Sequence, residues 1–236
     1  MKCAYLVSFN PLQTKVVIAN TSESDLKGHK TGVWLEELAV PYYLFRAKGY
    51  QVLVASIKGG EIPIDGSSLQ GDFYVEASKK FINDEQAMEK LNNSLPLAEI
   101  DFKTVDAIYL TGGHGTCVDF ITSPDLKNAI ELLYANDKVV AADCHGPVGL
   151  VNCVKPDGTP LVAGKTVTGF SDTEEDAVKL TELVPFLLES KFKEQGANYE
   201  KADDWNPKVC VDGKLVTGQN PQSSDLCAKA VVKLLG

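Results

Sequence analysis

The sequence predicts an α/β fold, a mostly parallel β-sheet covered by helices. Three observations carry that prediction. Short apolar runs alternate with longer helical patterns along the chain, as a sheet wound through helical crossovers requires. The chain has 236 residues, of which 44% are hydrophobic and 23% charged, enough to bury one good core. No internal repeat, low-complexity tract or linker interrupts it, so residues 1–236 are expected to form a single domain.

The elements follow in order. Ala4–Ser8 reads as a first buried strand. Val33–Lys48 has a helical pattern, with Pro41 inside it as a source of a kink and Gly49 placed to end it. Gln51–Ser56 predicts the next strand. The polar stretch around 59–102 reads as a local insertion that leaves the sheet, with helices near Glu76–Phe81 and Glu85–Leu91. Ala107–Thr111 and Val139–Ala142 predict strands on either side of a helix over Asp125–Ala135, and Pro147–Val151 a helix after the second. Pro156-Asp157-Gly158-Thr159 predicts a hairpin tip. Beyond it come a strand at Thr166–Thr168 and helices over Glu174–Thr181 and Pro185–Gln195. Strands at Val209–Val211 and Leu215–Thr217 and a helix over Ser223–Leu235 close the chain.

Charge and composition exclude several classes of function. The formal net charge is −9 and the basic residues form no dense block, so no nucleic-acid partner is expected. No apolar run is long enough to span a bilayer, so no membrane partner is expected either. The segment Met1–Ser8 soon turns polar at Asn10 and lacks the long apolar core and cleavage site of a signal peptide. The cysteines at 3, 117, 144, 153, 210 and 227 include no C-x-x-C pair. They predict free thiols in a reducing compartment, the cytoplasm.

The chemistry concentrates in a few segments. Ala141-Ala142-Asp143-Cys144-His145-Gly146-Pro147 follows an apolar strand and precedes the expected helix. A cysteine at such a turn sits exposed on a sharp bend, near unpaired helix N–H groups that favour its thiolate. Ala142 and Gly146 supply the small flanking residues of a nucleophile elbow. A free cysteine is ordinarily a buried structural residue; this context favours a nucleophile, with the His145 N–H facing an oxyanion. Thr111-Gly112-Gly113-His114-Gly115-Thr116 follows another strand, and its glycines let backbone N–H groups approach a ligand, as in an oxyanion hole. Gly112, Gly113 and His114 are therefore candidate substrate-binding residues. Both segments are expected beyond the C-terminal ends of strands, where open parallel sheets hold their ligands.

Of the three histidines, His29, His114 and His145, two fall in these segments. His145 is a candidate base. His114 and Cys117 have a metal-ligand spacing, but two ligands make no site and no metal is expected. On the first helix, Glu36 reads as a solvated face residue. Glu37, if turned toward Cys144, could share a proton with the thiol and move protons on a substrate. Gly169–Asp176 holds four acids, which suit a capped helix start; one of them could orient His145 and complete a Cys-His-acid triad. Thr217-Gly218-Gln219-Asn220-Pro221 reads as a turn that lines the site.

Together these residues resemble the ThiJ/PfpI superfamily, and within it the heat-shock chaperone-like branch that contains the glutathione-independent (class III) glyoxalases. The resemblance rests on the Ala-x-Cys-His-Gly-Pro elbow, the Gly-Gly-His-Gly-Thr loop and the Glu-Glu-Leu-x-x-Pro helix preceded by Thr31-Gly32. Ser56-x-x-Gly-Gly, Pro63-x-Asp65-x-x-Ser68, the Gly169-Phe170 segment and Thr217–Pro221 add to it, in the expected order over nearly the whole chain. It implies a flavodoxin-like three-layer α/β/α sandwich of the class I glutamine-amidotransferase type, forming a homodimer. It implies Cys144 as nucleophile, His145 as its partner, Glu37 as the acid beside the thiol, and the N–H groups of Gly113 and His145 as oxyanion donors. The triad acid corresponds by spacing to Glu175, with Glu174 its adjacent rival. The implied activity is cofactor-independent conversion of a 2-oxoaldehyde such as methylglyoxal to D-lactate through a hemithioacetal, with deglycase chemistry close to it. The competing expectations are a holding chaperone for unfolded client proteins, a cysteine redox sensor and a cysteine peptidase.

Overall fold

The computed structural model describes residues 13–236; the strand expected at Ala4–Ser8 lies outside them. The first described strand is β1, Lys15–Asn20, an apolar run that the sequence reading passed over. It is followed by α1 (Leu35–Ala47) and β2 (Gln51–Ser56). Next come α2 (Glu76–Ile82), α3 (Glu85–Asn92) and the short strand β3 (Leu95–Pro96). β4 (Ala107–Leu110), α4 (Pro124–Ala135) and β5 (Val139–Asp143) form the centre of the chain. α5 (Asp172–Ala177) and α6 (Leu188–Glu194) precede β6 (Val209–Asp212), β7 (Leu215–Gly218) and the closing α7 (Ser224–Leu235).

The strands form one sheet in the order β6-β7-β5-β4-β1-β2-β3. Every pairing is parallel except the β6–β7 hairpin. Alternation within the strands builds two apolar cores. Val17 and Ala19 of β1 join Ile108 and Leu110 of β4 on the face covered by α4 and α6. Val16 and Ile18 join Ala107 and Tyr109 on the face covered by α1 and α7. Period-two side-chain direction thus splits one strand between two layers, giving the expected α/β/α sandwich.

Several boundaries differ from expectation for local reasons. Pro41 lies in the interior of α1, which continues through it, with Gly49 at φ 77° just beyond its end. β3 returns the 59–102 stretch to the sheet edge beside β2. The segment after β5 is a 3-10 turn, Gly146–Leu150, not an α-helix. Thr166–Val167 pairs with Asn198–Tyr199 in a separate two-stranded ribbon, not with the main sheet. The Pro156–Thr159 turn closes an isolated antiparallel bridge between Val154 and Pro160. No described helix is long and apolar enough to cross a membrane.

Candidate active site

β4 and β5 run side by side with Leu110 opposite Ala142. The loop after β4 and the turn after β5 therefore emerge together at the C-terminal edge of the sheet. Cys144 is the first residue past β5 and takes φ 55°, a left-handed conformation that strains any residue other than glycine. Its N–H donates to the Gly218 carbonyl (3.1 Å) and its carbonyl accepts from the Phe170 N–H (2.9 Å). The bend is thus clamped from two loops. Two expectations attached to it fail. Cys144 is only 4% exposed. Burial, followed by the Glu37 and Asp143 carboxyls, pushes its thiol well above the ordinary value, not below it. The short 3-10 turn that follows offers little dipole to offset them.

Cys144 Sγ lies 3.5 Å from His145 Nδ1. Across the ring, His145 Nε2 lies 2.7 Å from Glu175 Oε2. Burial opposes charge on Glu175, but the hydrogen-bonded imidazoles of His145 and His114 outweigh it and hold the carboxyl far below the usual range. An ionised Glu175 assigns the tautomer: His145 donates its Nε2–H to the carboxylate and turns a lone pair on Nδ1 toward the thiol. Burial and then the adjacent His114 lower the His145 pKa, so the ring is a neutral base at physiological pH.

The second oxygen of Glu175 lies 2.8 Å from His114 Nε2, and the two imidazole centroids are 4.1 Å apart. His114, His145 and Glu175 are the described residues whose donor atoms could gather round a metal ion. Here both Nε2 atoms and both carboxylate oxygens already satisfy one another. Cys117, the other half of the proposed ligand spacing, is not in the cluster. Glu174 goes elsewhere. It closes a capping box with Ser171 at the start of α5 and accepts from the Trp205 N–H and the Asn220 side chain.

Glu37 is fully buried in the first turn of α1. Its Oε2 accepts from the Gly112 N–H at 2.7 Å, while Oε1 has no hydrogen-bond partner among the described residues. Burial and then Asp143 raise its pKa well above the carboxylate range. A protonated Glu37 therefore carries its proton on the oxygen that Gly112 does not occupy, on a carboxyl that neighbours the Cys144 thiol. Glu36 corrects the expectation of a solvated residue, since burial raises its carboxyl to about 7.

The glycines of the β4 loop are required by close approach. A Cβ on Gly112 would stand 2.5 Å from the Glu37 carboxylate and 2.7 Å from the His145 nitrogen. Gly113 has φ 95°, and its Cβ would stand 2.1 Å from the Gly32 carbonyl oxygen. Gly112 departs from its expected substrate-binding place because its N–H is committed to Glu37. Gly113 and His145 border the pocket, and neither N–H donates to an acceptor among the described residues. Both remain available to an oxyanion.

The pocket over Cys144, His114 and His145 has a volume of about 200 Å³. Its walls include Trp34, Phe73, Phe170, Trp205 and Leu180, with Pro221 from the loop after β7. A larger groove of about 660 Å³ lies elsewhere, between Tyr42, Arg46 and Glu89, and contains no cysteine or histidine. Sequence reasoning brought Cys144, His145, His114, Glu37 and Glu175 together but missed Phe73 and Trp205. Phe73 ends a single 3-10 turn, Gly71–Phe73, and Trp205 lies in a turn, segments too short for periodicity to mark a wall.

A model of the DJ-1/PfpI family matches residues 30–234. Glyoxalase 3 of Candida albicans is 32% identical over 229 residues, covering 92% of this chain and 97% of its own. The glutathione-independent glyoxalase HSP31 of Saccharomyces cerevisiae is 33% identical over 223 residues, covering 89% and 93%. The solved structure of the Rapid Encystment Protein 24 kDa from Francisella tularensis superposes with a TM-score of 0.90 at 38% identity, covering 95% of this chain and all of that one. The solved glyoxalase III of Candida albicans superposes with a TM-score of 0.85 at 32% identity, covering 94% and 97%.

Proposed function

This chain belongs to the DJ-1/PfpI family, and from that premise we propose that it is a glutathione-independent glyoxalase, converting a 2-oxoaldehyde such as methylglyoxal to D-lactate. The observation that carries the reading is the line Cys144 Sγ–His145–Glu175, with the thiol and the imidazole lining a small pocket. A buried neutral imidazole, held by a carboxylate and facing a thiol, can take the thiol proton as the sulfur attacks a carbonyl.

The scheme balances within the substrate. Cys144 sulfur adds to the aldehyde carbon, and the new oxyanion is held by the Gly113 and His145 N–H groups until it is protonated as a hemithioacetal. A base removes the hydrogen from that carbon, giving an enediol, and the adjacent carbon is reprotonated. Glu37, with one carboxyl oxygen free, and His145 are the groups that carry this proton. The product of transfer is a thioester on Cys144; water cleaves it to the 2-hydroxy acid and regenerates the thiol. One carbon is oxidised and its neighbour reduced, so no external electron carrier enters the balance.

The buried, raised Cys144 thiol weighs against a redox sensor, which needs an accessible thiolate. We further propose a homodimer in the cytoplasm, where the buried free cysteines would stay reduced. Sedimentation of the purified chain tests the dimer. The deciding experiment for the activity follows methylglyoxal loss and D-lactate formation without glutathione, comparing the unaltered chain with Cys144→Ala. Cysteine-dependent D-lactate supports the reading, and its absence from the unaltered chain overturns it. Suppression of client aggregation that survives Cys144→Ala would then favour a holding chaperone.

A further inference from the structure

The walls of the pocket say which 2-oxoaldehydes fit it best. Trp34 packs edge-on against Phe73 with centroids 5.1 Å apart. Phe170 meets Trp205 at 5.9 Å and lies against the His145 ring at 4.4 Å. Val178 and Leu180 complete an apolar lining. Phe73 and Trp205 are 38% and 36% exposed, so the aromatic wall reaches from the buried thiol to the mouth of the pocket. About 200 Å³ is far more than the methyl group of methylglyoxal occupies beside its two carbonyls.

The pocket is bordered by three histidines, His29, His114 and His145, and by one carboxyl. No lysine or arginine among the described residues borders it. Asp65 does, as a buried carboxyl that accepts from Thr31 Oγ1 and the Ser67 N–H, both at 2.9 Å. Glu175 holds a negative charge behind the two imidazoles. A phosphate or carboxylate entering this space would lose its hydration with no cation to replace it.

We propose that the site is built for uncharged 2-oxoaldehydes with an aryl or comparably bulky apolar substituent, and that it rejects anionic ones. The substituent lies between Trp34 with Phe73 on one side and Phe170 with Trp205 on the other, leaving the aldehyde over Cys144. The same lining acts on the product: hydrolysis creates a carboxylate where no cation holds it, which favours release. This inference rests on the glyoxalase reading and adds the class of substituent.

The test measures kcat/KM for methylglyoxal, phenylglyoxal and 4-carboxyphenylglyoxal, each normalised to its hemithioacetal formation with a small free thiol. Phenylglyoxal is expected to exceed methylglyoxal by roughly tenfold or more, on the scale of selectivity that apolar pockets reach. The 4-carboxy compound, close in shape but charged, is expected to fall at least about tenfold below phenylglyoxal. Trp205→Ala is expected to shrink the preference of phenylglyoxal over methylglyoxal. Because Trp205 has φ 63°, Phe73→Ala repeats the measurement from the opposite wall. Methylglyoxal turnover without an aryl preference, or equal turnover of the carboxylated compound, overturns this inference and leaves the glyoxalase reading standing. A chain that converts none of the three loses both.

Discussion

Glu175 lies between two imidazoles, 2.7 Å from His145 Nε2 and 2.8 Å from His114 Nε2, one oxygen to each. The carboxylate is thereby held against the ring that faces Cys144, with each oxygen engaged by an imidazole. Glu175→Gln keeps the shape but leaves one amide oxygen to accept from two N–H donors. It is expected to lower kcat by roughly 10²- to 10⁴-fold, the range for loss of an orienting triad acid. Glu174→Gln is expected to act on stability instead, costing about 1–3 kcal/mol, because its amide nitrogen would face N–H donors from which the carboxylate now accepts. Steady-state kinetics beside thermal melting of both variants separates the two.

His114 contributes one charge-assisted hydrogen bond to that carboxylate. Such a bond is worth about 1.5–3 kcal/mol, which corresponds to roughly 10- to 150-fold in rate if all of it serves to orient Glu175. His114→Ala is therefore expected to reduce kcat by an amount in that range and less than Glu175→Gln does. A loss as large as that of Glu175→Gln would mean that His114 itself handles a substrate proton.

The pH dependence of turnover follows from His145. Its folded pKa is lowered, first by burial and then by His114. The base form is therefore retained as pH falls past the ordinary imidazole value of about 6.5, and activity is lost only when pH reaches the lower folded value. The acid limb of kcat/KM is expected below about pH 6.5. A limb at or above that value would show that His145 is not the group titrating.

Glu37 is the acid whose removal should separate binding from chemistry. Glu37→Gln retains an oxygen able to accept the Gly112 N–H, so the loop after β4 stays in place. The carboxyl proton beside the thiol is gone. A fall in kcat of roughly 10²-fold or more with little change in KM is expected from loss of an acid–base group. A change confined to KM would make Glu37 a substrate-binding residue.

The sheet was legible in the sequence where local pattern and tertiary environment agree. Gln51–Ser56 and Val139–Asp143 are apolar runs bounded by polar residues, and both form strands at or within one residue of the expected limits. Lys15–Asn20, absent from the expected strands, is short and carries polar residues at both ends, so its apolar centre Val16–Ala19 gives only a four-residue signal. The elbow was legible because its residue types are unusual together. The choice between Glu174 and Glu175 was not, since adjacent helical residues differ in direction by about 100° and only the position of α5 decides which faces His145. The pocket walls depend on segments distant in sequence, Trp34, Phe73, Phe170 and Trp205, and no local signal joins them. Cys144 was expected to be exposed and acidic because a strand-to-helix turn usually is. Burial of the sulfur, ahead of the neighbouring Glu37 and Asp143 carboxyls, reverses that locally.

Asp143 gives the last prediction, on stability. It is fully buried beneath Cys144; Oδ2 accepts from Ser224 Oγ at 2.7 Å and Oδ1 has no partner among the described residues. Burial raises its carboxyl to about 8, against the pull of the Ser224 hydrogen bond, while in the unfolded chain it would ionise at about 3.9. Between those values the folded protein holds a proton that the unfolded chain releases. The contribution to stability is therefore fully present at low pH and declines as pH rises toward the folded value. One such group gives a slope of about 1.4 kcal/mol per pH unit across that window. Asp143→Asn removes the titration while keeping an oxygen for Ser224. The unaltered chain is expected to lose stability to urea steadily from pH 5 to about 8, and the Asn variant to lose less over the same range. Parallel pH dependence in the two proteins would show that Asp143 is ionised in the folded state, its charge compensated within the Cys144 elbow.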